Sequence, residues 1–279
     1  MSSIPKLIFI VPYRDREFER NHFSIYMKYI MEDYIPDDYE IYYSHQTDNR
    51  MFNRGATKNI GFLVMKNKYP NDYKNITFVF NDIDIIPAVK NMFNYVTQQG
   101  IVKHFYGFTF ALGGIVSING ADFEKCNGFP NNWGWGLEDN ALNDRVLEQS
   151  LIINRDQFYH INSKNIIHIH DDPNRIINTK DPLSYIKKQF YDNLNTITNL
   201  DYVIVNYNYG EKEYSINKNS INQNEYIINI IQFKTLNDDT NNTYYKQNMA
   251  QEPLLYANKH NYIIKRHVKP RWLLNNNFK

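Results

Sequence analysis

Asp82-Ile83-Asp84 follows the apolar run Ile76 to Phe80 after one residue, Asn81. On an extended chain, residues two apart point to the same side, so these two carboxylates can share a divalent cation or a ribose hydroxyl. The same tripeptide also makes an ordinary solvated turn. His168-Ile169-His170 repeats the geometry with imidazoles. Two histidines on one side of a strand, joined by a carboxylate, suit Mn²⁺ or another first-row divalent ion. Glu138 and Asp139 stand directly ahead of a helical pattern. A helix start keeps carboxylates ionised, which suits a general base as well as a simple acidic cap. Gly134, Trp135 and Gly136 come just before them. Glycines beside a tryptophan let backbone and ring approach a flat ligand such as a sugar, or build a packed aromatic corner. Arg14, Arg16 and Arg54 follow strand or loop elements. Their guanidinium groups suit a diphosphate, and they equally suit surface ion pairs.

Alternating strands and helices must carry these groups. Leu7 to Val11 is a continuous apolar run, the pattern of a buried parallel strand, and it ends at Pro12. Phe23, Tyr26, Met27 and Ile30 recur at helical spacing. Glu40 to Ser44 reads as a second strand, and a helix follows over Gly55 to Lys66 with Asn53 as its cap. Ile76 to Phe80 is a third strand, and a helix is expected near Val89 to Thr97. Ile115 to Ile118 is strand-like and leads into a polar turn. Further on, Asn165 to His170 reads as a strand and Asp181 to Leu194 as a helix. Tyr202 to Tyr207, Glu213 to Ile216 and Tyr226 to Phe233 read as strands, the last two as a hairpin. The alternation predicts an α/β fold with a largely parallel sheet. Ligands bind such sheets beyond the carboxyl ends of the strands. Residues 1–234 form the expected main domain, and 235–279 a polar extension, packed on it or partly mobile, with Trp272 as a late aromatic anchor.

Composition narrows the classes. The chain has 279 residues, 42% hydrophobic and 22% charged, which is ordinary for a globular protein. A net charge of +1 argues against a broad nucleic-acid footprint. The single cysteine, Cys126, leaves no intrachain disulfide framework and reads as a small buried hydrophobe. The N-terminal apolar run is too short for a signal peptide or membrane span, so a soluble, cytoplasmic chain is expected, or one trimmed of an anchor.

Taken in order, VPYRDR (11–16), FNRGATKNIGF (52–62), NDIDIIP (81–87), GGIVSINGADF (113–123), NGFPNNWGWGLED (127–139) and HIHD (168–171) resemble the β-1,4-galactosyltransferases. The resemblance spans roughly residues 5 to 233 and rests on six motifs in the family's order. HIHD and the CNG at 126–128 look most like the branch that galactosylates xylose in the proteoglycan linker. It implies a GT-A fold, a UDP-sugar donor, a glycan acceptor, Mn²⁺ and an inverting mechanism. Pro12, Tyr13, Arg14 and Arg16 match the family's uridine-binding motif, and Phe52 and Arg54 a further nucleotide-binding pair. Asp82 and Ile83 fall with the nucleotide, and Asp84, His168 and His170 match the metal ligands. Gly114, Trp135, Gly136 and Glu138 fall beside donor and acceptor sugars, with Asp139 at the position of the catalytic base. Three departures stand out. Asn140 replaces an acidic residue, Leu137 stands where another branch has glycine, and Ala111-Leu112 lacks the aromatic of galactose-specific members. The last leaves galactose, N-acetylgalactosamine and glucose open as donors.

Two other functions fit parts of the sequence. His170-Asp171-Asp172 with His260 or His267 could form an iron-binding facial triad, making an Fe(II)/2-oxoglutarate oxygenase. That reading needs an antiparallel jelly-roll, against which the strand-helix alternation speaks. A glycan-binding protein on an inactive transferase fold would be expected to have lost Asp84, a histidine or Asp139, and all are present.

Overall fold

Every residue of β1 (Leu7–Tyr13) is buried, because a neighbouring strand lies on each side and a helical layer on each face. Its side chains alternate between two cores. Ile8 and Ile10 join the cluster that includes Ile60, Phe62 and Phe78; Leu7, Phe9 and Val11 join the one that includes Phe23, Met27 and Tyr43. The computed structural model describes residues 3–169, 174–178, 192–207, 224–237 and 243–248.

In chain order, β1 leads through α1 (Glu17–Ile30) to β2 (Tyr39–Gln46), and α2 (Arg54–Lys68) leads to β3 (Thr77–Asn81) and β4 (Ile85–Pro87). Next come β5 (Ile101–Gly107), β6 (Ile115–Asn119), α3 (Gly120–Lys125) and α4 (Glu138–Glu148). Short strands β7 (Ile152–Asn154), β8 (Tyr159–His160), β9 (Ile166–His168) and β10 (Asn174–Asn178) follow. The last described elements are β11 (Thr198–Asn206), β12 (Glu225–Lys234) and β13 (Tyr244–Asn248). Among the described residues, nine strands form one sheet in the order β11-β12-β2-β1-β3-β6-β5-β7, with β8 on β5. The β12-β2, β2-β1, β1-β3, β5-β7 and β5-β8 ladders are parallel, as expected; β6 runs against both β3 and β5. The reversal brings the start of β6 to the edge where β1 and β3 end, and this edge holds the site.

The capped helix is present: Asn53 accepts a hydrogen bond from the Ala56 N–H at 2.9 Å. Gly61 lets α2 lie directly on Ile10 of β1, where a Cβ would collide with the isoleucine methyl.

Two expectations are corrected, and one falls partly outside the described residues. Residues 89–97 are not helical. Phe93, Tyr95 and Thr97 are buried while Asn94 and Val96 are exposed, so the segment is extended with a two-residue period. Tyr95 meets Phe9 edge-on at 5.0 Å and Phe105 at 5.5 Å; cross-layer aromatic packing overrides local helix propensity. The polar turn after Ile118 is the short helix α3, capped by Asn119, whose side chain accepts from the Ala121 N–H. β12 pairs with β11 and with β2; the other arm of the expected hairpin, 213–216, lies outside the described residues, as do most of 181–194 and Trp272. No described helix is long and apolar enough to cross a membrane. Cys126 is buried and free.

Candidate active site

Five charged side chains from three stretches meet at this edge. Arg54 opens α2 and reaches Asp82 beyond β3, with Nη2 at 2.6 and 2.5 Å from the two carboxylate oxygens. Its Nη1 reaches Glu138 Oε1 at 2.6 Å and Asp139 Oδ2 at 2.8 Å, at the start of α4. Lys58, one turn further along α2, donates to Asp139 Oδ1 at 3.2 Å and lies 3.6 Å from Asp82 Oδ1. Three carboxylates thus face two cations. Burial alone would raise the Asp82 carboxyl, but Arg54 and Lys58 prevail and hold it at about 2. Burial likewise works against the Arg54 charge, and Asp139, Asp82 and Glu138 outweigh it, pushing that guanidinium well above its ordinary value.

Backbone contacts fix the carboxylates from below. Leu112 donates its N–H to the Asp139 carbonyl, and Asp82 donates its own to the Gly114 carbonyl, both at 2.9 Å. A Cβ on Gly113 would overlap the Asp139 carboxylate, so only glycine leaves that side chain its present place. Gly114 has φ +70°, a left-handed conformation glycine adopts readily, and its backbone lies against the Tyr106 carbonyl. Leu112 is fully buried and Ala111 nearly so.

Asp84 leads into β4, which pairs with β9 so that Ile85 faces His168; the Ile169 N–H closes onto the Asp84 carbonyl at 2.8 Å. Burial and then the neighbouring Asp82 raise the Asp84 carboxyl, while His168 and Arg16 oppose the shift without cancelling it. Arg16 Nη1 lies 3.6 Å from Asp84 Oδ2. A carboxylate short of positive charge beside an exposed imidazole is an oxygen and nitrogen donor set that fits a first-row divalent ion. His170, the third expected ligand, lies outside the described residues. Among those described, no group of three or more His, Cys, Asp or Glu side chains is arranged to hold a metal.

The two tryptophans of the glycine loop divide their work. Trp133 is an anchor: its ring stacks on Phe233 at 5.5 Å, Arg50 covers it, and its indole N–H donates to the Asn237 carbonyl at 2.7 Å. Trp135 is 38% exposed, and its backbone N–H is held by the Ile176 carbonyl of β10 at 2.8 Å. Gly136 has φ +132°, with open space where a Cβ would stand, and donates its N–H to Glu138 Oε2 at 3.1 Å. Leu137 takes φ +67° at the N-cap of α4, an uncommon conformation for a branched residue that aims Glu138 and Asp139 at Arg54.

The motif at the end of β1 is mostly engaged. Pro12 and Tyr13 are buried. The Tyr13 ring stacks on His45 at 4.4 Å, and its hydroxyl accepts from Arg20 at 2.7 Å. Arg14 donates to the Arg50 carbonyl, Arg16 pairs with Glu19, and the Phe52 carbonyl accepts the Gly134 N–H. Ile83 is buried between the two aspartates of its motif. Arg54, read from sequence as a diphosphate ligand, directs its donors into the carboxylate cluster.

Two participants are absent from the sequence reading. Lys58 was detectable in principle as a cation four residues after Arg54 on one helix face. His104 carries no sequence signal. Its Nε2 lies 3.0 Å from the Tyr106 carbonyl and 3.2 Å from that of Gly113, and its Nδ1 is 3.2 Å from Arg155 Nε. Burial and Arg155 hold its pKa down to about 4, so at neutral pH an uncharged ring donates through Nε2 and accepts from Arg155.

Two family models match the chain. The N-terminal region of glycosyl transferase group 7 matches residues 2–96, and the N-terminal domain of galactosyltransferase matches 102–171. β-1,4-galactosyltransferase 1 of Mus musculus is 31% identical over 210 residues, covering 69% of this chain and 50% of that protein. Xylosylprotein 4-β-galactosyltransferase of Caenorhabditis elegans is 32% identical over 180 residues, covering 61% and 60%. The chain thus spans about half the length of the first of these curated relatives. Among solved structures, the catalytic domain of Drosophila β1,4-galactosyltransferase 7 in complex with xylobiose superposes with a TM-score of 0.59 at 23% identity, covering 81% of this chain and 94% of that one. A mutant of that enzyme complexed with manganese, UDP-Gal and xylobiose gives the same TM-score at 22% identity. These likenesses establish the GT-A fold.

Proposed function

The chain belongs to the β-1,4-galactosyltransferase family, and from that premise we propose that it transfers galactose from UDP-galactose to a hydroxyl of a glycan acceptor, with inversion. The observation that carries the reading is the Asp139 carboxylate, held by Arg54 and Lys58 over Gly113 on the same edge as Asp84. Bound manganese, with Asp84, His168 and His170 as its ligands, would supply Lewis-acid compensation for charge on the leaving diphosphate. Asp139 takes the acceptor hydroxyl proton as that oxygen bonds to the anomeric carbon and the bond from that carbon to the β-phosphate oxygen breaks, releasing UDP. Glu138 holds a second acceptor hydroxyl. Trp135 stacks on sugar, and with Gly114 and Gly136 leaving the approach open it excludes water that would hydrolyse the donor. Pro12, Tyr13, Arg14, Arg16, Phe52, Asp82 and Ile83 surround the nucleotide. Arg54 sets the positions of the carboxylates.

The xylosylprotein-specific relative and the xylobiose complex favour a xylose-terminated acceptor. The oxygenase reading fails because the sheet is mixed and mostly parallel, with helices on it, and is no jelly-roll. A panel of UDP-sugars incubated with Mn²⁺ and a β-xyloside tests the proposal. UDP-galactose is expected to be consumed fastest, with slower transfer from UDP-N-acetylgalactosamine and UDP-glucose. Acceptor binding by calorimetry, with no UDP released from any donor, would favour the glycan-binding alternative.

A further inference from the structure

We propose that Lys58 is a positioning residue for Asp139, fixing the plane of the carboxylate that receives the acceptor proton; this rests on the transferase reading above. The Lys58 side chain is only 2% exposed. An ammonium is expensive to bury unless it is paired and hydrogen-bonded. Its charged partners in the site are Asp139, at 3.2 Å from Oδ1, and Asp82, at 3.6 Å from Oδ1. The ammonium also lies over the face of Phe129, 4.6 Å from the ring centre. An apolar side chain would fill the place beside that ring without the desolvation cost, so packing alone does not account for a lysine here.

The geometry supplies the account. Arg54 takes Asp139 Oδ2 and Lys58 takes Oδ1. One contact on each oxygen fixes the rotation of the carboxylate about its last bond, which is otherwise broad and soft. Each oxygen keeps acceptor capacity for the incoming hydroxyl. Both cations stand on one helix, a turn apart, and α2 is seated on β1 through Gly61. The clamp therefore inherits the rigidity of the sheet. With Lys58 gone, Asp139 would be tied through Oδ2 alone and could turn toward Arg54. Main-chain contact to Leu112 would persist, so the loss would be confined to the orientation of the side chain.

The test uses the full chain with UDP-galactose, Mn²⁺ and a β-xyloside. Lys58→Met is expected to lower kcat by about 10²-fold, the scale of a small misplacement of a reacting group, with the donor KM unchanged within about twofold. Lys58→Arg, which keeps the charge, is expected to recover part of the lost kcat. A structural role alone would lower the melting temperature and leave kcat of the folded enzyme intact. A folded Lys58→Met protein with wild-type kcat overturns the proposal, and so does Lys58→Arg as slow as Lys58→Met at equal melting temperature. If Lys58→Met does not fold, the Nζ resonance of Lys58 in the otherwise native chain decides. It is expected to shift in Asp139→Asn, and an unmoved signal contradicts the contact. Absence of UDP release by the wild type from every donor would defeat the transferase reading and this inference with it, whereas an active wild type beside an equally active Lys58→Met defeats the positioning role alone.

Discussion

Asp139→Asn is expected to lower kcat by about 10²–10⁴-fold, the range general-base catalysis supplies. The substitution keeps the shape of the side chain and its contact area with Gly113, so the fold survives. An amide oxygen can still accept from Lys58 or Arg54, but the amide cannot take up the acceptor proton. UDP-galactose and Mn²⁺ should bind within about threefold of wild type, because Asp84 and the nucleotide contacts are untouched. Steady-state kinetics with calorimetry of donor binding makes the check. A variant with near-normal turnover removes Asp139 from its role, and a variant that no longer binds donor shows that the residue was structural.

Arg54→Met is expected to destabilise the chain by about 3–5 kcal/mol, the cost of breaking a buried ionic cluster by removing one partner. The guanidinium bonds Asp82, Glu138 and Asp139 at 2.5–2.8 Å, and only 16% of its side chain is exposed. Without it, Asp82 and Asp139 share Lys58 and Glu138 loses its ion-pair partner. The effect is large beside a typical domain stability of about 5–15 kcal/mol. Its pH dependence has a definite sign. In the wild type, the Asp82 carboxyl sits at about 2, below its unfolded value of about 3.9. That contribution is complete above pH 4 and is lost as pH falls toward 2. In the variant, crowded carboxylates take up protons more readily folded than unfolded, so acid relieves the damage. The stability gap, read from urea midpoints with m held equal, should therefore be widest at pH 7 and narrow toward pH 4. A gap below about 1 kcal/mol, or one that pH does not change, would show that the acids do not depend on Arg54.

What the sequence revealed was decided by how local each cause is. The run Leu7 to Val11 is buried on both faces, and its lack of alternation says so directly. Asn53 caps α2 within three residues, and the aspartates follow β3 without a gap. Those groups were legible because their placement needs only the neighbouring residues. The partners of Arg54 are 28, 84 and 85 positions away, and no periodicity reports such a distance. The sequence therefore points to a diphosphate for this arginine and carries no report of the carboxylates it bonds. Lys58 reads as one more helical lysine until burial is known. Val89, Met92, Phe93 and Val96 recur at helical spacing while Phe93, Tyr95 and Thr97 alternate as in an extended chain, and rings from other layers choose between the two. Trp133 and Trp135 are two residues apart, yet one is core and the other is 38% exposed; what separates them is the stack on Phe233, the cover of Arg50 and the bond to Asn237, all remote in sequence.

The acidic edge of this sheet is proposed as a manganese-dependent UDP-galactose site. UDP release from UDP-galactose by the wild-type chain, measured with Mn²⁺ and again with chelator in excess, tests it most directly. Release with Mn²⁺, loss with chelator and recovery when Mn²⁺ is restored is the expected result. Release at an undiminished rate in chelator, or none in any condition from a chain shown to be folded, would contradict it.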